Sequence, residues 1–418
     1  MMNNKATGLF FESYHAGVSK AEETCCGDVF PQKAGEPVKD LSCNELLIQF
    51  MKHYLINNCI SFSQPLSEQQ IKELYVLSCK HDVAHLVGVV AEKLPADQRS
   101  NFRPFAREQM KAMFRHEKMQ QETEKIFALL EACGIPFVPL KGAAIRPLYH
   151  EPWHRTSGDV DILVSRERLD EAIGAARTQL KYENKGFYAY DVSLWSPNGI
   201  HFELHFDFAE THVNKDQFWE NAVAEPGHYC HRLSNEMLIL AHVAHMAKHF
   251  LVGGCGLRPF LDLWFMQEKL SYDEARLKQM LQDAGLQSFY VKVNELLDAW
   301  FHDGKKDGLL TGMEEYVLYG GVYGNQENII VMKRARGYSS VRYLLERLFP
   351  PVDAMKYRYL VLNKHPWLLP WFWLCRAARH VKNGKAWRIG AEFRINRDFS
   401  KEDFNNADQL LKGLGLKG

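Results

Sequence analysis

The sequence lacks an excess of either charge, and it lacks the cysteine spacing of a metal-binding protein. Its 51 Lys and Arg residues balance 51 Asp and Glu residues, which argues against a broad nucleic-acid-binding surface. Among nine cysteines, Cys25 and Cys26 form the one close pair, and no Cys-x-x-Cys occurs. We therefore expect neither a zinc site nor a disulfide framework, and we predict reduced thiols.

Long apolar runs are also missing. No stretch reaches the length needed to span a bilayer, and the first residues contain no apolar signal core, so we expect a cytoplasmic protein. Of the 418 residues, 46% are hydrophobic and 24% are charged, as in a soluble globular protein. This length predicts two or three packed units.

Two aspartates in one short strand are central to the functional prediction. Residues 158–164 alternate so that Asp159 and Asp161 share one face of a predicted strand, while the other face is apolar. Such positions are about 6–7 Å apart along a strand, and two carboxylates at that spacing can hold a divalent metal. The alternative is a solvent-exposed strand end.

A buried strand and a small-residue turn precede these aspartates. Residues 138–140 predict the strand, and Lys141-Gly142-Ala143 predicts a turn that opens a helix, whose backbone N–H groups can face a phosphate. Lys141 could equally be an exposed turn lysine. A phosphate-binding turn next to a metal-binding strand indicates nucleotide chemistry.

A further strand is predicted over residues 200–208, which alternate strictly. One face carries His201, Glu203, His205 and Asp207, and the other carries four large apolar side chains. The polar row must face either water, at the edge of an open sheet, or a functional site.

Together these motifs resemble the nucleotidyltransferase superfamily typified by DNA polymerase beta, in which a Gly-Gly or Gly-Ser turn and a short helix precede Asp-x-Asp on the next strand. Here Ala143 is the second turn residue, and 16 residues separate Gly142 from Asp159. The resemblance covers most of the chain from about residue 45 and is strongest over residues 135–208. A closer similarity, to an uncharacterised bacterial nucleotidyltransferase family, rests on Leu140, Lys141, Gly142, Tyr149, Arg155 and residues 158–164.

The resemblance implies a Mg²⁺-dependent (or Mn²⁺-dependent) enzyme with three metal-binding acids. Asp159 and Asp161 would be two of them, and the superfamily takes the third from a strand antiparallel to the Asp-x-Asp strand. Glu203 matches that position, with Asp207 in reserve. Glu203 could also accept the proton of the acceptor hydroxyl. The expected nucleotide-contacting residues are Lys141, Gly142, Ala143, Arg155, His205, His249 and Arg258.

A helix predicted over residues 236–249 places His242, His245 and His249 on one face. Two interpretations are open, a metal or phosphate site and histidines at a packed helix edge. The family resemblance implies that Lys248, His249, Arg258 and Asp262 line the cleft. An Arg258–Asp262 pair at i, i+4 is the structural alternative.

The last third of the chain is basic although the whole chain is neutral. Between Lys333 and Arg397, fifteen Lys or Arg residues are set against three acids. Residues 366–375 are rich in aromatic side chains and are followed by basic ones. Residues 366–385 therefore suit a membrane surface or a polyanion, or else a packed helix with a solvated basic edge.

We predict an α+β fold in which a polymerase-beta-like mixed sheet carries the acids, between N-terminal helices and a C-terminal helical domain. The predicted units are a loose lead-in (1–40), a helical segment (41–133), a catalytic domain (134–230) and a helical domain with a basic end (231–418). The predicted reaction moves a nucleoside monophosphate from a triphosphate such as ATP to an acceptor hydroxyl, with release of pyrophosphate. A small molecule, a protein or an RNA end could be the acceptor. The alternative is a non-catalytic nucleotide-binding or interaction protein.

Overall fold

A five-stranded mixed sheet surrounded by helices forms the centre of the computed structural model. The structure describes residues 41–62, 64–207, 212–213, 215–302, 304–321, 324–356, 359–382, 392 and 399–417. The predicted α+β class is confirmed. The predicted lead-in over residues 1–40 lies outside the described residues, as does residue 208.

The strands are β1 (Phe137–Pro139), β2 (Asp159–Val164), β3 (Glu183–Phe187), β4 (Asp191–Trp195), β5 (His201–His205), β6 (Ala222–Ala224) and β7 (His231–Leu233). The helices are α1 (Cys43–Leu55), α2 (Glu68–Lys80), α3 (Ala84–Ala91), α4 (Ala96–Arg99), α5 (Arg103–Ala132), α6 (Lys141–Ile145), α7 (Leu169–Gln179), α8 (Lys215–Glu220), α9 (Asn235–Leu251), α10 (Leu257–Lys269), α11 (Glu274–Asp283), α12 (Gln287–Phe301), α13 (Gly308–Gly320), α14 (Gln326–Ala335), α15 (Ser340–Leu348), α16 (Val352–Met355), α17 (Leu369–Lys382) and α18 (Lys401–Gly413). Short 3₁₀ turns cover Ser100–Phe102, Arg146–Leu148, Pro152–His154, Arg166–Arg168, Leu360–Asn363 and Pro366–Leu368. Within the described part of the chain, no helix is both long enough and apolar enough to cross a membrane.

The first helices begin and end at recognisable capping residues. Ser42 and Ser67 cap α1 and α2, each in a reciprocal hydrogen-bonded box with the residue three positions later. Helix α5 runs to Ala132, and Gly134 follows in the left-handed conformation (φ +63°), where glycine carries no Cβ penalty.

The sheet order is β1-β2-β5-β4-β3. Strand β5 pairs with β2 in parallel, with Asp161 opposite Glu203, so the predicted antiparallel arrangement of the third-acid strand is wrong. Helix α7 carries the chain back along the sheet before β3. The hairpins β3–β4 and β4–β5 then leave β5 pointing in the same direction as β2.

Two hydrophobic cores lie on opposite faces of the sheet. The odd-even alternation of β2 directs Val160 and Ile162 into a core shared with α5 and α7. Leu163, on the face that also carries Asp161, packs into a second core, which includes both the N-terminal helices α1 to α3 and the later helices α9 to α13. The acids therefore lie on the face of the sheet that meets the large helical core.

A buried ion pair joins the segment before β2 to that helical core. The Arg155 guanidinium donates to both carboxylate oxygens of Asp262 in α10, at 3.1 and 2.9 Å, and the Tyr149 hydroxyl donates to the same carboxylate at 2.7 Å. Asp262 is paired with Arg155, so the structural alternative of an Arg258–Asp262 pair is wrong. Arg258 instead donates to Asp82, at the end of α2.

We expect that Asp262→Ala will destabilise the protein by about 3–5 kcal/mol, because it leaves the buried Arg155 charge without its partner. Denaturant unfolding followed by circular dichroism would measure this change. The matched variant, Asp262→Leu combined with Arg155→Met, removes both charges and should recover most of the loss. An Asp262→Ala protein as stable as the native one would contradict the assignment.

His81 is a buried neutral histidine at a junction of three helices. Its side chain is fully buried next to the end of α2, where Nδ1 accepts the backbone N–H of Leu257 and Nε2 lies 3.1 Å from the carbonyl oxygen of Leu318. These partners require an imidazole protonated at Nε2 alone. Burial lowers the pKa of His81 to about 4, since a charged ring would lose water without gaining a counter-ion.

The free energy of unfolding should therefore fall on acidification from pH 6.5 towards pH 4. In this window the unfolded state takes up a proton at His81 that the folded state does not, which costs at most about 1.4 kcal/mol per pH unit. The stabilising effect is fully present above pH 6.5. Urea titrations of His81→Phe should show a flatter pH dependence, with the exposed His228→Phe as control. Parallel curves for native protein and His81→Phe would exclude this role.

Candidate functional site

Three carboxylates converge on two adjacent strands. In the β2–β5 register Asp159 lies opposite His201 and Asp161 opposite Glu203, so all four side chains project from one face. Asp161 is buried, whereas Asp159 and Glu203 are partly accessible. Potential ligand atoms lie within 4.8 Å of one another in two groups, one of Asp159, His201 and Glu203 and one of Asp161, Glu203 and His205. Glu203 belongs to both.

Two cationic side chains contact the same oxygen of Asp161. Lys141 Nζ lies 2.7 Å from Oδ1, and His205 Nε2 lies 2.8 Å from it. The His205 Nε2 atom is also 3.4 Å from Glu203 Oε2. Lys141 thus reaches across from the start of α6 to the middle of β2, and it keeps about a third of its side chain exposed.

The two aspartates differ in their electrostatic environments. Burial, together with the carboxylates of Asp161 and Glu203, raises the pKa of Asp159. Burial acts in the same direction on Asp161, but Lys141 and His205 hold the pKa of Asp161 far below its usual range. Although burial disfavours its charged form, hydrogen bonds to Asp161 and Glu203 raise the pKa of His205 to about 9. His205 therefore acts here as a cationic hydrogen-bond donor to the acids.

The turn that carries Lys141 is tightly packed. Lys141 has a positive φ of 43°, which is uncommon for a residue with a Cβ. A Cβ on Gly142 would lie 2.8 Å from Nη1 of Arg155, so any larger residue there would force the buried guanidinium to shift. Ala143 packs against the core shared with α5 and α7. These contacts link the turn directly to the Arg155–Asp262 ion pair.

Strand β4 adds polar groups that our sequence analysis missed. Asp191, Ser193 and Trp195 lie opposite His205, Glu203 and His201. The Trp195 ring stacks on the His201 imidazole, with centroids 4.8 Å apart, and Ser193 Oγ is 2.8 Å from His201 Nε2. The same alternation that identified β5 is present in Asp191–Trp195 and could have identified this strand.

Three other residues that were predicted to contact the nucleotide, Arg155, Arg258 and His249, have partners outside the carboxylate cluster. Arg155 is 7% exposed and paired with Asp262, which favours positioning of the turn over contact with a phosphate. Arg258 is held by Asp82 and by the carbonyl oxygen of Thr156. On α9, His249 contacts His245, with their Nε2 atoms 3.0 Å apart. Within the described residues, neither of these histidines belongs to a group of three that could hold a metal.

Glu203 and Asp207 are clearly distinguished by their positions. Strand β5 ends at His205, so Asp207 follows the strand, and its backbone N–H bonds to the carbonyl oxygen of Tyr190. Glu203 lies in the middle of the strand, between Asp161 and Ser193. This placement favours Glu203 as the third acid.

Comparisons with known proteins show which family and which solved structures the chain is similar to. A model of an uncharacterised nucleotidyltransferase family matches residues 67–302, and no curated protein gives a significant match. Among solved structures, the antibiotic-resistance factor ANT(2'')-Ia is 14% identical, with 43% of this chain and 96% of that chain covered and a TM-score of 0.32. An antigenic nucleotidyltransferase-like protein from Paracoccidioides brasiliensis is 16% identical, with 48% and 95% covered and a TM-score of 0.29.

The family match takes in more than half of the chain. It extends from the start of α2 to the end of α12, and so it includes all strands of the five-stranded sheet and the three carboxylates. The predicted kinship with nucleotidyltransferases is confirmed. The chain belongs to this uncharacterised nucleotidyltransferase family.

Proposed function

We propose that the protein is a Mg²⁺-dependent transferase that moves a nucleoside monophosphate from a nucleoside triphosphate to an acceptor hydroxyl and releases pyrophosphate. The main support is the convergence of Asp159, Asp161 and Glu203 on one face of β2 and β5, next to Lys141. Membership of a nucleotidyltransferase family supports the class of reaction.

The donor set fits a divalent cation. Burial raises the pKa of Asp159, and the carboxylates of Asp161 and Glu203 raise it further. Negative charge is therefore crowded there, and a cation would relieve the repulsion. Carboxylate oxygens are the ligands that Mg²⁺ prefers, and an imidazole such as His201 also suits Mn²⁺. Asp159, Asp161 and Glu203 would hold the ion, which would neutralise the charge that builds up between the attacking oxygen and the pyrophosphate.

His205 would orient the acids in this mechanism. Its Nε2 already faces Asp161 Oδ1 at 2.8 Å, so the same nitrogen is not available to coordinate a metal. Lys141 contacts that oxygen as well, so the Asp161 carboxylate would hold the ion while two cationic neighbours keep it in place. Fixing the carboxylate in this way is the usual task of residues around a metal site.

Lys141 would act on the triphosphate, and Glu203 would act on the acceptor hydroxyl. Lys141 is partly exposed next to the acids and would pair with the triphosphate as a point charge. Glu203 would accept the proton of the acceptor hydroxyl, since it is the least buried member of its group with Asp161 and His205. The acceptor could be a small molecule, a protein side chain or an RNA end.

One prediction of this proposal concerns nucleotide binding. Isothermal titration of ATP, GTP, CTP and UTP should detect binding of at least one of them with Mg²⁺, and this binding should weaken strongly with EDTA. Asp159→Asn combined with Asp161→Asn should abolish the Mg²⁺-dependent part, because the neutral amides cannot balance a divalent charge. The proposal would be overturned if all four nucleotides bound equally well with Mg²⁺ and with EDTA, and equally well to the native protein and to the double variant.

The outcome also separates the enzyme from a non-catalytic binding protein. Metal-dependent binding without transfer to any acceptor, and without slow pyrophosphate release to water, would favour the binding protein. The exposed pair Asp97→Asn and Asp216→Asn, which removes two carboxylates away from the sheet, serves as the charge control. It should leave the titration unchanged.

A further prediction of this proposal concerns the third acid. Glu203→Gln should slow pyrophosphate release by about 100- to 10,000-fold, the range expected for loss of a general base, while the fold remains intact. Asp207→Asn is the matched control, since it lies two residues beyond the end of β5. If Asp207→Asn caused the larger loss, the assignment of Glu203 would be wrong.

A further inference from the structure

Helix α17 exposes a row of large apolar side chains. Trp371, Leu374 and Val381 are 63%, 65% and 69% exposed, and Trp367, in the preceding turn, is 69% exposed. Their spacing of four, three and seven residues places them on one face of a helix. We call these four residues the α17 stripe. It ends before residues 383–385 of the predicted segment, which lie outside the described part of the chain.

The opposite face of α17 attaches the helix to the protein. Trp373 donates its indole N–H to the carbonyl oxygen of Pro350 at 2.9 Å and packs against the Phe349 ring, with centroids 5.1 Å apart. Phe372 packs on Tyr359, with centroids 4.2 Å apart. The stripe is therefore the outward face of a helix that already has its inner contacts.

Basic residues accompany the stripe. Lys364 precedes the stripe in the chain and Lys382 follows it, and both are exposed, in a region where fifteen Lys or Arg residues are set against three acids between Lys333 and Arg397. An exposed apolar stripe with cationic neighbours is complementary to a surface whose outer layer is anionic and whose interior is apolar.

We propose that the α17 stripe docks on an anionic phospholipid bilayer, with the helix lying in the plane of the membrane surface. Indole rings favour the headgroup region, and Leu374 and Val381 would enter the acyl boundary, while the basic side chains meet the lipid phosphates. The stripe is a convex helix face, which a deformable lipid surface can cover without a preformed groove.

A polyanion such as RNA fits these residues less well. Nucleic-acid backbones are bound by cationic and polar groups, and the leucine and valine of the stripe offer nothing to a phosphate. The proposal is separate from the catalytic one, because none of the stripe residues belongs to the acid cluster on the sheet.

Vesicle co-sedimentation of the full chain tests the proposal. The native protein, Trp367→Ser combined with Trp371→Ser, and a control pair are mixed with vesicles of phosphatidylglycerol and phosphatidylcholine, or of phosphatidylcholine alone. The control is Met110→Ser combined with Phe114→Ser, since these side chains on α5 are also four residues apart and 70% and 69% exposed. Circular dichroism establishes that all three proteins are folded.

We expect the native protein and the control to bind the anionic vesicles, and the tryptophan variant to bind at least about fivefold less. Raising NaCl from about 0.1 M to about 0.5 M should weaken binding. Brominated lipids should quench the tryptophan emission of the native protein but quench the tryptophan variant less. No binding of native protein to anionic vesicles, equal binding of both variants, or equal binding to neutral vesicles would overturn the proposal.

Discussion

The Asp161 carboxylate must keep its negative charge inside the fold, and the geometry of the sheet depends on how that charge is balanced. Lys141 and His205 both contact its Oδ1 atom, which stabilises the ionised form against the cost of burial. Lys141 comes from the turn after β1, and His205 comes from the end of β5. The two contacts therefore fix the turn and β5 relative to β2.

A second buried carboxylate, Asp262, stabilises the same turn through Arg155. Arg155 pairs with it through two hydrogen bonds, and the guanidinium passes so close to Gly142 that a side chain there would collide. The Lys-Gly sequence of the turn thus has a packing explanation in addition to any role with phosphate. The helical core contributes Asp262 and the sheet contributes Asp161, so the two halves of the protein meet around this turn.

Local pattern was sufficient to predict β1, β2 and β5 and the face on which the acids lie, whereas β4 was missed. Alternation in residues 158–164 and 201–205 correctly placed Asp159, Asp161 and Glu203 on one side, because side-chain direction along a strand follows from sequence position alone. Strand direction was not predictable in this way, since it depends on how α7 and two hairpins return the chain. The pairs Arg155–Asp262 and Arg258–Asp82 were not predictable either, because their partners are 107 and 176 residues apart in the sequence.

The double contact at Asp161 has a consequence for the proposed reaction. Lys141 is bound to the carboxylate that would hold a cation, so a cation at Asp161 would weaken the attraction that holds the lysine there. A triphosphate offers Lys141 a new partner of the same sign as the one it leaves. Each ligand would then favour the binding of the other, since linkage between two sites is reciprocal. Through its contact with Asp161, Lys141 would then couple metal binding to nucleotide binding.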